Sequence, residues 1–132
     1  MGSLFFRGIR SKMKKILIVD DEDKVRRLIK VTLAIGDFEI LEASTGEEAL
    51  KIAREAIPDI ILLDIMMPGN LDGYDVCRSL KNDPNTKDIY IIMLSAKGQK
   101  ADIKKGIAAC ANDYFVKPFS PMELIDKIDN IL

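Results

Sequence analysis

Five short apolar runs separate stretches of helical period along most of the chain. They predict β-strands over residues 16–19, 38–43, 60–63, 89–94 and 114–116. The runs at 16–19, 60–63 and 89–94 are nearly continuous, as expected of inner parallel strands covered on both faces. Glu39 and Glu42 interrupt the second run and indicate an edge strand. Strands that alternate with helices in this way predict βα units around a parallel sheet.

The stretches between the runs predict five helices. The first follows an apolar stripe at helical spacing, formed by Val25, Leu28, Ile29, Thr32 and Leu33. Gly36 suits the end of this helix. Thr45 with Glu48 fits the capping box that opens a helix, as does Ser120 with Glu123, where Pro121 suits the first helical position. Two further helices are predicted over 73–81 and 99–109.

The composition is that of a globular protein. The chain has 132 residues, of which 48% are hydrophobic and 31% charged, and its net charge is −1. This balance argues against disorder and a membrane span, and it gives no global attraction to nucleic acid or an anionic membrane. We predict one cytoplasmic domain over 13–132, with 1–12 a leader or an appended segment. Too few residues follow Lys117 for a helix-turn-helix output domain, so no effector is expected in the chain.

The cysteine and histidine counts exclude several kinds of site. The chain has no histidine and two cysteines, Cys77 and Cys110. It therefore lacks a Cys/His zinc site and a Cys–His nucleophile, and any acid–base chemistry would use carboxylates, lysine or a metal. Both thiols are predicted to be reduced and structural.

Polar side chains follow four of the predicted strands. Asp20-Asp21, Asp64, Ser95-Ala96 and Lys117-Pro118 stand at strand ends, which meet at one edge of a parallel sheet. Two carboxylates about 4 Å apart repel by roughly 4 kcal/mol at an effective dielectric near 20, so this cluster needs cations. Lys117 supplies one. Mg²⁺, with Mn²⁺ as the alternative, suits the oxygen ligands, and a carboxylate flanked by the metal ion and the lysine is a competent nucleophile toward phosphorus.

Each of these residues also has a structural interpretation. The acidic pair could serve only as an N-cap of the first helix. Tyr114 taken alone favours core packing, and the Met66-Met67 pair favours packing of its loop. Lys97 fits a solvated helix face.

Together the strand-end motifs resemble the receiver domain of two-component response regulators, over Lys14 to Leu132. The motifs are Asp20-Asp21, Asp64-Ile65-Met66-Met67-Pro68, Ser95-Ala96 and Lys117-Pro118-Phe119. The resemblance implies a flavodoxin-like, doubly wound α/β fold with strand order 2-1-3-4-5, in a stand-alone form like the chemotaxis receivers.

The resemblance also implies roles for single residues. Asp64 would be the phosphoacceptor, and Asp20, Asp21, Asp64 and the Met66 carbonyl would hold Mg²⁺. Lys117 would bind the phosphoryl group, Ser95 would be the switch hydroxyl and Tyr114 the switch aromatic. Met66 and Lys97 would tune dephosphorylation.

The chain departs from the family pattern at two places. The Gly69-Asn70-Leu71-Asp72 loop carries one residue more than the usual spacing, and Cys110 stands where glycine is usual.

The implied partners are a sensor histidine kinase or histidine phosphotransfer protein and a downstream effector. A second copy could bind through the last strand and the last two helices. Direct contact with nucleic acid or a membrane is not expected. The domain would take up and lose its own phosphoryl group and would not turn over a separate substrate.

Three other functions fit parts of the sequence. Asp21-Glu22-Asp23-Lys24-Val25 matches the nucleophile motif of haloacid-dehalogenase-type phosphatases, with Asp21 as the nucleophile, although that family needs a longer chain. A phosphorylation-independent interaction module is the second alternative. A flavin-binding domain of similar topology is the third, but it would need a Ser/Thr-rich phosphate loop after the first strand.

Overall fold

The computed structural model describes residues 13–96 and 111–132. The strands in these ranges are β1 (Lys14–Val19), β2 (Phe38–Ala43), β3 (Ile60–Asp64), β4 (Tyr90–Ala96) and β5 (Asp113–Lys117). The helices are α1 (Asp23–Leu33), α2 (Gly46–Ala56), α3 (Gly73–Lys81) and α4 (Pro121–Ile131). The helix predicted over 99–109 lies outside the described residues. No helix in the described ranges is long and apolar enough to cross a membrane.

The five strands form one parallel sheet in the order β2-β1-β3-β4-β5. This confirms both the α/β fold class and the strand order that the resemblance implied, and it confirms β2 as an edge strand. Val19 pairs with Ala43 on one side and with Leu63 on the other, and Asp64 pairs with Leu94. The carboxyl ends of the inner strands therefore lie side by side.

Two apolar cores cover the faces of the sheet. Leu17 and Val19 face one core, with α2 and α3, while Ile16 and Ile18 face the other, with α1 and α4. All four side chains are fully buried. Burial on both faces explains why the inner strands carry uninterrupted apolar runs.

Some strand bounds differ from the prediction. β1 begins at Lys14, two residues before the apolar run, because its backbone already pairs with β2 at Lys14 and Phe38. Similarly, β4 runs to Ala96, two residues beyond the predicted end. Backbone pairing at strand ends needs no buried side chain, so an apolar pattern does not mark it.

The predicted capping box of α4 is confirmed, with Pro121 in its first turn. At α2, Thr45 accepts the Glu48 amide at 3.1 Å, but Glu48 accepts the Ser44 amide at 2.7 Å. The predicted box is therefore wrong in its second half, because the extended backbone at Thr45 brings the preceding amide to the Glu48 carboxylate.

The predicted role of Gly36 at the end of α1 is wrong. The helix ends at Ala34 in an ordinary right-handed conformation, and the Gly36 amide donates to the Leu33 carbonyl at 3.1 Å. What Gly36 provides is space, since a Cβ there would lie 2.4 Å from the Phe38 ring.

Candidate functional site

Three of the predicted strand-end residues meet in direct contact at the carboxyl edge of the sheet. The Lys117 ammonium donates to Asp20 Oδ2 at 3.0 Å and lies 3.2 Å from Asp64 Oδ1. Asp20 follows β1, Asp64 ends β3 and Lys117 ends β5, so three separate strands position this cluster. The peptide bond between Lys117 and Pro118 is cis.

Asp20 is fully buried and is held by both its side chain and its backbone. Its Oδ1 accepts the Glu22 amide at 2.9 Å, and its own amide donates to the Ala43 carbonyl at 3.1 Å. The N-cap of α1 is Glu22, which makes no side-chain cap bond. The N-cap interpretation of the acidic pair is therefore wrong, and the Asp20 carboxylate points into the cluster.

Asp64 is 6% exposed, and its ionisation is perturbed. Burial, and next the charge of Asp20, raise the pKa of Asp64 to about 6, against the opposing effect of Lys117. Burial disfavours the charged form of Lys117, but Asp64 and Asp20 together raise the pKa of Lys117 above its usual value. The lysine therefore stays charged and stabilises the two carboxylates that it contacts.

The acidic cluster fits a hard divalent cation. Carboxylate oxygens of Asp20, Asp21 and Asp64 lie within 4.8 Å of one another, and Asp21 is exposed on the solvent side. Three carboxylates and one ammonium group leave an excess of negative charge, which Mg²⁺ would offset while keeping some of its waters. The Met66 carbonyl, in the loop directly after β3, stays a predicted fourth ligand.

Gly73 is a residue of the site that the sequence analysis missed. Its amide donates to the Ile65 carbonyl at 2.9 Å, and a Cβ at Gly73 would lie 2.4 Å from the Asp64 carbonyl oxygen. The first turn of α3 therefore lies directly against the backbone that carries Asp64. The signal that could have found it is a glycine beside Asp72, which opens α3 with a capping box to Asp75.

The loop with the additional residue is anchored at both ends. Gly69 has a φ of 102°, which favours glycine, and Met67 is buried. Leu71 packs against Gly46 at the start of α2, where a Cβ would lie 2.7 Å from the Leu71 side chain. The longer loop is thus held by its own contacts, and the backbone of Asp64 is held by the first turn of α3.

Ser95 and Tyr114 lie on neighbouring strands. Ser95 is 1% exposed, and its hydroxyl donates to the Phe115 carbonyl at 3.4 Å. Tyr114 pairs with Met93 and is 43% exposed, so the core-packing interpretation of this residue is wrong. The alternation of β5 makes Phe115, and not Tyr114, the partly buried residue that packs against the core on the side of α4.

Of the other predicted positions, three lie within the described residues and two lie outside them. Met66 is 61% exposed and Met67 is 8% exposed, so loop packing is wrong for the first residue and holds for the second. Cys77 is buried in the core beneath α2 and α3, as predicted for a structural cysteine. Lys97 and Cys110 lie outside the described residues, so their roles stay predictions.

Comparison with known proteins decides the family. Residues 16–129 match the family described as the response regulator receiver domain. This chain belongs to that family. Membership removes the support for a haloacid-dehalogenase-type phosphatase with Asp21 as nucleophile and for a flavin-binding domain.

Relatives of the receiver domain include regulators of transcription and of chemotaxis. The chain is 46% identical over 118 residues to the transcriptional regulatory protein ResD of Bacillus subtilis, covering 89% of this chain and 48% of ResD. It is 44% identical over 119 residues to the phosphate regulon regulatory protein PhoB of Pseudomonas aeruginosa, covering 90% of this chain and 52% of PhoB. The chain spans about half the length of these curated relatives.

A solved receiver structure shares the fold over its whole length. The chemotaxis response regulator CheY4 of Vibrio cholerae matches with a TM-score of 0.84 and 30% identity. The match covers 92% of this chain and 100% of CheY4.

Proposed function

We propose that this receiver domain accepts a phosphoryl group on Asp64 from a phosphohistidine donor. The observation that carries the proposal is the Lys117 ammonium, which contacts both Asp20 and Asp64 among three clustered carboxylates. In the reaction, an Asp64 carboxylate oxygen attacks phosphorus and forms an acyl phosphate. The phosphorus–nitrogen bond breaks, and its electron pair returns to the donor imidazole.

Of the two buried carboxylates, Asp64 is the better placed to react. Asp20 already uses Oδ1 to accept the Glu22 amide and Oδ2 to contact Lys117. With a pKa of about 6, Asp64 is mostly ionised at neutral pH, which nucleophilic attack requires. Mg²⁺, when bound by Asp20, Asp21 and Asp64, would neutralise charge on the phosphoryl oxygens.

We propose that Ser95 and Tyr114 carry the response to the rest of the domain. The Ser95 hydroxyl would leave the Phe115 carbonyl and donate to the phosphoryl group on Asp64. The present 3.4 Å bond is long, so little stabilisation opposes this exchange. Movement of this strand end would allow the exposed Tyr114 side chain to turn toward the sheet. Met66 and Lys97 would then affect the rate of dephosphorylation.

The proposed partners follow from this chemistry. A sensor histidine kinase or histidine phosphotransfer protein would donate the phosphoryl group, and an effector would bind the altered surface near β5 and α4. The relatives named as transcriptional regulators support an effector that controls transcription. A second copy, a stand-alone form and a cytoplasmic location stay predictions, and the domain itself would perform no separate catalytic turnover.

The direct test is covalent labelling of Asp64. We expect acetyl phosphate to label the wild-type protein in a Mg²⁺-dependent way on Phos-tag gels, with the phosphoryl group mapped to Asp64 by mass spectrometry. Asp64→Asn should lose the label. Asp59→Asn is the matched control, because Asp59 precedes the same strand at its opposite end and accepts the Lys15 amide there.

Two outcomes would contradict the proposal. Full labelling of Asp64→Asn would assign the chemistry to another carboxylate. A folded wild-type protein that Mg²⁺ and acetyl phosphate leave unlabelled would favour the phosphorylation-independent interaction module.

A further inference from the structure

Arg26, on α1, connects three parts of the chain beside the acidic cluster. Its side chain is only 13% exposed. Nη1 donates to the Asp20 carbonyl at 2.6 Å, and Nε donates to Glu42 Oε1 at 3.2 Å. Nη2 pairs with Asp23 in the first turn of the same helix. One guanidinium group thus contacts the loop that follows β1, the edge strand β2 and the start of α1.

These contacts fix the backbone of Asp20 from both sides. The Asp20 amide donates to the Ala43 carbonyl of β2, and the Asp20 carbonyl accepts from Arg26. Arg26 is in turn held by Glu42, the residue before Ala43. Glu42 also pairs with Lys30 at 3.0 Å, and chiefly this partner lowers the pKa of Glu42. Glu42 therefore stays ionised at neutral pH and continues to hold Arg26.

We propose that Arg26 is a positioning residue for the metal-binding carboxylates Asp20 and Asp21. The inference rests on the proposed function, because it assigns those carboxylates to Mg²⁺. Arg26 touches neither a phosphoryl donor nor a metal ligand atom, and acts by holding the loop after β1 in one arrangement. Partners of this kind typically change metal affinity by 10–100-fold when they are removed.

The geometry of the guanidinium group explains why an arginine is needed here. Its planar set of N–H donors reaches three acceptors in different directions at once. A lysine ammonium at the end of its flexible chain would reach the Asp20 carbonyl or Glu42, but would not hold both in a fixed orientation. Arg26→Lys should therefore restore only part of the function that Arg26→Met loses.

The first test needs no metal and no phosphorylation. Amide hydrogen exchange, followed by NMR, reports the bonds from Asp20 to Ala43 and from Glu22 to the Asp20 carboxylate. We expect Arg26→Met to accelerate exchange at these two amides by at least about tenfold, with Arg26→Lys intermediate.

Arg54→Met is the matched control for this test. Arg54 also joins two elements, by a bond to Ser79 at 3.0 Å and an ion pair with Asp83 at 3.7 Å, but it lies on α2 and neither of these partners belongs to the cluster. Arg54→Met should leave exchange at the Asp20 and Glu22 amides unchanged, even if it lowers the melting temperature as much as Arg26→Met does.

The second test measures metal affinity, with Mn²⁺ as the probe and its electron paramagnetic resonance signal as the readout. We expect Arg26→Met to raise the Kd for Mn²⁺ about tenfold. The rate of labelling by acetyl phosphate should fall at low Mg²⁺ and return to within about twofold of wild type at saturating Mg²⁺.

An unchanged Mn²⁺ Kd together with unchanged exchange at both amides would overturn the proposal. If Arg26→Met does not fold, as judged by circular dichroism, amide exchange and the Kd for Mn²⁺ are measured on Arg26→Lys and Glu42→Gln instead. Absence of labelling in the wild type would refute the proposed function alone, because exchange and Mn²⁺ affinity still decide the role of Arg26.

Discussion

Gly73→Ala should displace the backbone of Asp64. The added Cβ would lie 2.4 Å from the Asp64 carbonyl oxygen and 2.8 Å from the Ile65 Cα. Ordinary contacts between such atoms are about 3.5–4 Å, and both neighbours are backbone atoms that cannot rotate away. The first turn of α3 must therefore move by about 1 Å, which also strains the 2.9 Å bond from the Gly73 amide to the Ile65 carbonyl.

The expected loss of stability follows from these contacts. Overpacking costs about 1–3 kcal/mol, and a weakened hydrogen bond adds about 0.5–1.5 kcal/mol. The better helix propensity of alanine returns up to about 1 kcal/mol. We therefore expect the free energy of unfolding to fall by about 1–3 kcal/mol in urea titrations followed by circular dichroism.

In Gly73→Ala, the rate of labelling of Asp64 should fall by more than the loss of folded protein alone explains. A misplacement of about 1 Å in a reacting group can cost about 100-fold in rate. We expect labelling by acetyl phosphate to slow at least tenfold under conditions where the variant is fully folded.

Gly36→Ala is the control for Gly73→Ala. There the added Cβ meets the Phe38 ring at the opposite edge of the sheet, far from Asp64. It should lower stability without slowing the labelling. Wild-type stability and wild-type labelling in Gly73→Ala would refute the steric argument.

Three further predictions concern the charges and the hydroxyl of the site. Because the pKa of Asp64 is raised to about 6, the native state binds a proton between about pH 4 and 6 that the unfolded state has lost, so stability falls as pH rises through this range. Asp64→Asn should stabilise the metal-free protein by about 1–3 kcal/mol at pH 7 and by little at pH 4, and an equal gain in thermal melts at both values would contradict this. Asp21→Ala should lower the pKa of Asp64, because the Asp21 charge helps to raise it; a carboxyl ¹³C titration that shows no change would refute the coupling. Ser95→Ala should accept the phosphoryl group but fail to transmit it, and an equal change in hydrogen exchange over residues 113–117 on adding beryllofluoride to variant and wild type would remove Ser95 from the switch.

The sequence predicted the inner part of the fold well for a physical reason. Strands buried on both faces need apolar side chains at every position, so residues 16–19 and 60–63 stand out without any structural information. The outer ends do not, because Lys14 joins the sheet through its backbone alone. Tyr114 was misassigned to the core because an alternating edge strand offers two faces, and the sequence does not say which face is covered.

The same distinction applies to the site. Asp20, Asp64 and Lys117 were predictable because the ends of parallel strands meet at one edge whatever the details of packing. Gly73 and Arg26 were not, since each acts through a contact that exists only after folding. The role of Gly73 depends on its close approach to the carbonyl oxygen of Asp64, and the role of Arg26 depends on its bond to Glu42 on β2.

The bond between Lys117 and Asp20 joins residues 97 positions apart in the chain. Contacts of such long sequence separation are slow to form, because closing the intervening chain costs entropy before the contact stabilises anything. Lys117 also belongs to β5, an edge strand that pairs only with β4 in the described sheet. Under the proposed function, a partly unfolded chain in which β5 has not joined the sheet would hold Asp64 without this lysine, and would lack its positive charge during phosphoryl transfer. Signal reception in this domain would then be restricted to molecules in which the last strand of the sheet is in place.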